Sequence, residues 1–228
     1  MIIVFWKPYG VLSQFTPEVT SRWDTLARFG FPAGVYPIGR LDADSEGVLL
    51  LSDEPSVATR LLQGATPHQR TYAVQVEGTV TPEACHRLST GIRIQNYTTR
   101  PAAARAVSPP NIPERDPAIR YRAAIPTSWL ELSLTEGKNR QVRRMTAAVG
   151  LPTLRLIRVK IGSIGLDGLL PGMWRFCTDE ERTTLGCLPG VTGNRKGKSS
   201  HHRDDANPHK ANKRLFGELD GKRLFRRR

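Results

Sequence analysis

Cysteine is scarce in this chain of 228 residues. Cys85, Cys177 and Cys187 are too few and too widely spaced for a disulfide framework, and no Cys-x-x-Cys pair or flanking His gives them zinc-ligand spacing. An odd count at wide spacing reads as free thiols in a reducing compartment. Long apolar runs are also missing. The opening Met-Ile-Ile-Val-Phe-Trp stretch is apolar for only about five residues, far short of a signal peptide or a membrane span. These shortages predict a cytoplasmic protein with no membrane partner. Acidic residues are the third deficit, with 21 Asp and Glu against 34 Lys and Arg, a net charge of +13. A surplus of that size names a polyanion as the partner, most simply nucleic acid.

The surplus is uneven. Residues 190–228 hold 12 Lys or Arg against 4 Asp or Glu, whereas residues 1–189 hold 22 against 17. In 190–228 Gly, Ser, His, Asn and Lys crowd together without apolar periodicity, the composition of a disordered segment. His201, His202 and His209 within it lack a fourth ligand and a rigid frame, so they give no metal site. The chain therefore reads as a folded domain, 1–189, and a basic tail, 190–228. An apolar content of 39% suits a packed core in the first part.

Within that domain, Ile2 to Trp6 is a β-branched and aromatic run stopped by the turn Lys7-Pro8-Tyr9-Gly10. Ser21 is placed to cap a short helix bearing Trp23, Leu26 and Phe29, closed by Gly30. Ser52-Asp53-Glu54-Pro55 has the residues of a helix start, with Val57, Leu61 and Leu62 as the apolar face and Gly64 as the end. Arg70 to Gly78 alternates as a half-buried strand with Tyr72, Val74 and Val76 on one face. Thr81-Pro82-Glu83 opens a helix to about Ser89, and a strand begins in Gly91 to Ile94. Thr99 to Pro117 reads as an irregular excursion. Leu130, Leu132 and Leu134 face the core from another strand. Beyond Gly137, Val142, Met145 and Val149 recur at helical spacing until Gly150-Leu151-Pro152. Leu154 to Ile164 alternates basic and apolar residues through Arg155, Arg158 and Lys160, and Trp174-Arg175-Phe176 gives a final strand.

The stretch with chemical content is Gly39-Arg40-Leu41-Asp42-Ala43-Asp44-Ser45-Glu46-Gly47, which runs straight into Val48-Leu49-Leu50-Leu51. A polar loop pinned to a buried strand presents charged side chains in a defined geometry. By itself, a carboxylate in such a loop is most often a solvated turn residue or the partner of an Arg. The string resembles the signature loop of the RNA pseudouridine synthases, in the branch that modifies ribosomal RNA. Lys7-Pro8-Tyr9-Gly10, Arg70-Thr71-Tyr72-Ala73-Val74 and Glu136-Gly137-Lys138-Asn139-Arg140-Gln141-Val142-Arg143-Arg144-Met145 are similar to three further motifs of that family. Ile125-Pro126-Thr127-Ser128-Trp129-Leu130 and Pro152-Thr153-Leu154-Arg155-Leu156-Ile157-Arg158 resemble its large-subunit synthase E subgroup. The likeness covers residues 1–178.

The resemblance implies an α+β fold on a largely antiparallel central sheet with flanking helices and two subdomains. Many relatives carry a small RNA-binding domain of the S4 type before the first motif; this sequence starts almost on Lys7, so none is expected. The implied activity is isomerisation of a uridine in large-subunit (23S) ribosomal RNA, with no cofactor and no metal, by a monomer acting on RNA or on an assembly intermediate. Asp42 is then the catalytic carboxylate. Tyr72 lies against the base, Arg143 pairs with Asp42 and keeps it ionised, and Arg40 fills space or meets a phosphate. Lys7, Arg140 and Arg144 are candidate contacts to the RNA backbone. Tyr72 also fits a core position, and the arginines a solvated helix face. Two rival classes remain open at this stage. One is a non-catalytic RNA-binding ribosome-assembly factor on the same fold. The other is a nucleoside or sugar hydrolase, which calls for two carboxylates across a glycosidic bond.

Overall fold

The computed structural model describes residues 1–63, 68–119, 122 and 124–187. The expected basic tail 190–228 lies outside the described residues, as does Gly64, the expected end of the first helix.

The fold is mixed α and β around a nine-stranded sheet. Strand β1 (Ile2–Lys7) is buried throughout because both of its faces are covered. Ile2, Val4 and Trp6 enter one apolar cluster, while Ile3 and Phe5 enter another. Its antiparallel partner β3 (Glu46–Ser52) divides in the same way, Val48 and Leu50 to one side, Leu49 and Leu51 to the other. On its second edge β3 takes β2 (Tyr36–Ile38) at its far end and β9 (Thr153–Ile161) at its start. The path across the sheet runs β11 (Trp174–Phe176), β1, β3, β9, β4 (Arg70–Glu77), β8 (Thr127–Leu134) and β7 (Ala103–Val107), and β10 (Ile164–Gly165) folds back on β9. Every described pairing in it is antiparallel except β3 with β9.

That parallel seam joins two halves with separate cores. On one side, β1 and β3 carry the clusters just described. On the other, Tyr72, Val74 and Val76 of β4 and Leu130, Leu132 and Leu134 of β8 pack with α2 (Pro82–Thr90) and α3 (Gln141–Ala148). The seam is held tight by Gly47. Its φ is +106°, and a Cβ there would lie 2.2 Å from the carbonyl oxygen of Arg158. Only glycine lets the loop that ends at residue 47 come so close to β9.

Most helix signals act as the sequence predicts. Thr81 accepts a hydrogen bond from the Ala84 N–H and caps α2 over Pro82. Ser52 Oγ accepts from the Glu54 N–H just before α1 (Pro55–Gln63), which buries Val57 and Leu61. Leu62 departs from expectation: it is 52% exposed. The helix expected after Ser21 shrinks to a 3-10 turn, Leu26–Phe29, because the Ser21 hydroxyl is spent on the Trp23 N–H four residues earlier than that turn's own cap. Gly30, left-handed, still ends it. The hairpin of β5 (Arg93–Ile94) and β6 (Tyr97–Thr98) forms a separate small sheet, and α4 (Asp179–Thr184) follows β11. No helix among the described residues is long and apolar enough to cross a membrane.

Candidate active site

Asp42 sits in a loop whose backbone is fixed on both sides. The Leu41 N–H donates to Ser13 Oγ at 3.0 Å, and the same hydroxyl donates to the Leu41 carbonyl at 2.8 Å. On the other side, the Ala43 carbonyl accepts from the Gly10 N–H at 2.8 Å, and the Ser45 N–H closes a turn onto the Asp42 carbonyl at 3.0 Å. The segment from Lys7 to Ser13 is thus a cradle for the loop. Farther along, Glu46 meets Arg155 in a bidentate pair of 2.8 and 2.7 Å, both side chains at most 5% exposed. That pair ties the loop's end to β9.

Lys7 is not a contact to the RNA backbone. It is 0% exposed, and its ammonium donates to the carbonyls of Val11 (2.7 Å), Pro8 (3.0 Å) and Ala43 (3.5 Å). Burial pulls its pKa down to about 7, against the opposing pull of Glu46 and Asp44. A motif of Lys, Pro and Gly gives no sign of where the Lys points; here it turns inward to hold the cradle together.

The arginines of α3 distribute themselves differently from the expected pairing. Arg140, at the N-cap in a left-handed conformation (φ 51°), lies over the loop and places Nη1 3.4 Å from Asp42 Oδ2. The same guanidinium binds both oxygens of Asp44, at 3.1 and 3.0 Å. Arg143 reaches underneath, donating to the Asp44 carbonyl at 2.7 Å and lying 3.4 Å from its carboxylate. The direct ion pair of Asp42 is therefore with Arg140, and Arg143 braces the neighbouring Asp44. The reason is geometric: the left-handed residue before the helix swings Arg140 outward, and Arg143 is one turn further in. Burial lowers the pKa of Arg143, while the charges of Asp44 and then Asp42 oppose that shift. Burial alone would raise the Asp44 pKa, but the Arg140 hydrogen bond and the charges of Arg143 and Arg140 outweigh it and hold it below its ordinary value. Arg144 is drawn away, bonding Gln95 at 2.9 Å and Asn139 at 3.0 Å.

Asp42 opens onto a cavity of about 510 Å³, within the roughly 300–1,000 Å³ usual for small-molecule sites. Tyr72 forms part of its wall although it is only 9% exposed and packs in the core. Val142 is likewise shared between core and cavity. Arg40 and Arg140 line the mouth, and Arg40 has no ion pair among the described residues. So the cavity brings together Asp42, Tyr72, Arg40 and Arg140. It does not bring in Lys7 or Arg144, and Arg143 acts from behind the loop.

Sequence reading passed over several residues here. Ser13 carries no signal beyond being a serine. Arg155 and Arg158 look like solvent-facing partners in an alternating strand, yet both are buried, and Arg158 lines the cavity next to Tyr72, its register neighbour. Arg70 and His68 complete the inner wall. Arg70 and Tyr72, two apart on β4, share a face; Tyr72 is proposed through the motif resemblance, and the shared face is the signal that could have added Arg70.

The model of the RNA pseudouridylate synthase family matches residues 1–148. The chain is 50% identical over 176 residues to the ribosomal large subunit pseudouridine synthase E of Xanthomonas campestris, covering 77% of this chain and 94% of that protein. It is 45% identical over 174 residues to the synthase E of Vibrio vulnificus, covering 76% and 74%. A crystal structure of a pseudouridylate synthase superposes with a TM-score of 0.65 at 26% identity, covering 81% of this chain and 73% of that one. The matched residues include the Asp42 loop, its Lys7–Ser13 cradle, Tyr72 and all of α3, and with them the chain belongs to the RNA pseudouridylate synthase family.

Proposed function

We propose that this enzyme isomerises a uridine of large-subunit ribosomal RNA to pseudouridine, with Asp42 as the catalytic carboxylate. The observation that carries the reading is the position of Asp42: clamped through both neighbouring residues, 37% exposed, and open to a cavity it shares with Tyr72. The reaction breaks the N1–C1′ bond, turns the base and joins C5 to C1′; N1 gains a proton and C5 loses one. No atom is added from outside, so one fixed carboxylate in a cavity that excludes water is the principal requirement. Asp42 acts as nucleophile or base. The target uridine leaves its RNA stack to reach it, and Tyr72 receives the base on the cavity wall.

Arg140 pairs with Asp42 and Arg143 fixes the loop through Asp44, while Arg40 meets a phosphate at the mouth. Relatives named as large-subunit synthases at 43–52% identity support the ribosomal substrate. The surplus charge of segment 190–228 adds attraction to the RNA backbone. The protein works as a cytoplasmic monomer on RNA or on an assembling subunit.

The test is tritium release from C5-labelled uridine in a large-subunit ribosomal RNA transcript and in immature large-subunit particles. The parent chain should release tritium, and Asp42→Asn should release at least about a thousandfold more slowly, since the reacting group itself is gone. Equal release by both would remove Asp42 from the chemistry. RNA binding without release by either protein would favour a non-catalytic assembly factor.

A further inference from the structure

A second cavity, of about 360 Å³, opens beside the first. The two share one wall, which includes Leu62, Arg70, Glu136 and Lys138. Its charge is unbalanced. The carboxylate of Glu136 is already occupied: it accepts from the Tyr97 hydroxyl, from the Arg100 N–H at 2.9 Å and from Gln141 Nε2 at 2.5 Å. Lys138 lies over the Tyr97 ring at 5.2 Å. Arg70, half-buried on the shared wall, has neither an ion pair nor a hydrogen-bond acceptor among the described residues.

The groups nearest to Arg70 sharpen this imbalance. Arg158 is buried, its Nη2 has no partner among the described residues, and Arg70 repels its charge. His68 is pushed towards its neutral form first by burial and then by Arg70. Two guanidinium groups and an imidazole thus crowd the inner wall, and the one carboxylate on the shared wall, Glu136, has the Arg100 guanidinium at 4.0 Å and no ion pair with Arg70. A half-buried cation without a counter-ion costs stability. It is repaid where an anion arrives with the ligand, and a guanidinium fork suits a phosphate.

We propose that the second cavity holds the phosphodiester of the nucleotide next to the target uridine, with Arg70 as its principal counter-ion and Lys138 closing over it from the Tyr97 ring. This rests on the reading of the first cavity as the uridine site. The shared wall lets one RNA strand pass from one cavity to the other, so the base entering beside Asp42 and its neighbouring phosphate are gripped together. Leu62, unexpectedly exposed, forms the apolar lip between them.

The experiment compares the full chain with Arg70→Gln and Arg70→Lys for binding to a large-subunit ribosomal RNA transcript, by filter binding across a series of salt concentrations. Arg70→Gln should bind about tenfold more weakly at low salt, and its plot of log affinity against log salt should be shallower by about one phosphate contact's worth of slope. Arg70→Lys should keep the parent's slope. An unchanged slope for Arg70→Gln overturns the proposal, whether affinity is retained or is lost equally at every salt, the second being the mark of a merely structural arginine. Melting temperatures check folding; if Arg70→Gln fails to fold, the slope of Arg70→Gln/Arg158→Gln, which removes both crowded charges, stands in its place. Tritium release by the parent is read separately. Release together with an Arg70-independent slope sinks only the phosphate site. An Arg70-dependent slope without release sinks only the catalytic reading.

Discussion

Two arginine–carboxylate pairs hold the two ends of the Asp42 loop, and they see different surroundings. At the far end, Glu46 and Arg155 meet in a bidentate pair that is 3% and 5% exposed, wedged between β3 and β9. At the near end, Arg140 bridges Asp42 and Asp44 with its own side chain 42% exposed. The chemistry is the same and the consequences differ. A buried pair has given up its water, so neither partner can be lost without stranding a charge. An exposed pair is screened, weakly held and exchangeable. The loop is therefore anchored where it leaves for the core and left adjustable where it opens onto the cavity. Asp42 sits on the adjustable side but draws its position from backbone hydrogen bonds to the Lys7–Ser13 segment, which do not depend on Arg140.

The comparison breaks most readily at Glu46. Glu46→Ala leaves the Arg155 guanidinium buried without its partner and should cost about 3–5 kcal/mol in urea unfolding. Replacing both, as Glu46→Leu with Arg155→Met, should recover most of that loss. A single-variant cost below about 1 kcal/mol would mean that the buried pair is no anchor.

Lys7 sets a second, pH-dependent difference. Its folded pKa of about 7 lies below the ordinary 10.5, so between those values the unfolded chain binds more protons than the folded one. Stability then rises with pH across that window: the cost of burying the charge is complete below about pH 7 and is removed as the unfolded Lys also deprotonates near 10.5. Measured against Lys7→Met, the parent should gain on the variant from pH 7 to 10, by up to about 1.4 kcal/mol per pH unit. A constant difference over that range would show that Lys7 keeps its charge when folded.

How much of this was legible beforehand follows from what each signal depends on. Continuous apolar runs gave β1 and β3, apolar alternation gave β4 and β8, and the Thr81-Pro82 start gave α2, because those patterns are local and the tertiary structure agrees with them. The loop of Asp42 and the candidate Tyr72 were legible through their motifs. The partners of charged side chains were not. Whether Lys7 points in or out, whether Arg155 and Arg158 are solvated, and which arginine of α3 meets Asp42 are decided by strands distant in sequence. The residue that pairs with Asp42, Arg140, has a left-handed backbone, and no local pattern announces it. Leu62 shows the same limit from the apolar side: helical spacing puts it on the buried face, while the neighbouring cavity leaves it open.

The smallest effect expected is at Arg140, and it is the one that sharpens the comparison. Arg140→Gln should cost less than about 1 kcal/mol of stability, because the pair is solvated and Arg143 still braces Asp44. What remains should vanish with salt: raising it from about 0.1 to 1 M shrinks the screening length from about 10 to 3 Å, so parent and variant should converge. The penalty of Glu46→Ala should persist under the same change. Acid should act on the Arg140 pair too. Asp44 is held below its ordinary pKa, so its contribution is complete above about pH 4 and is lost as pH falls through the lowered value. As the pH falls below about 4, the difference between parent and Arg140→Gln should therefore shrink. If it survives both high salt and low pH, the near end of the loop is as firmly built as the far end, and the division between anchor and adjustable contact is wrong.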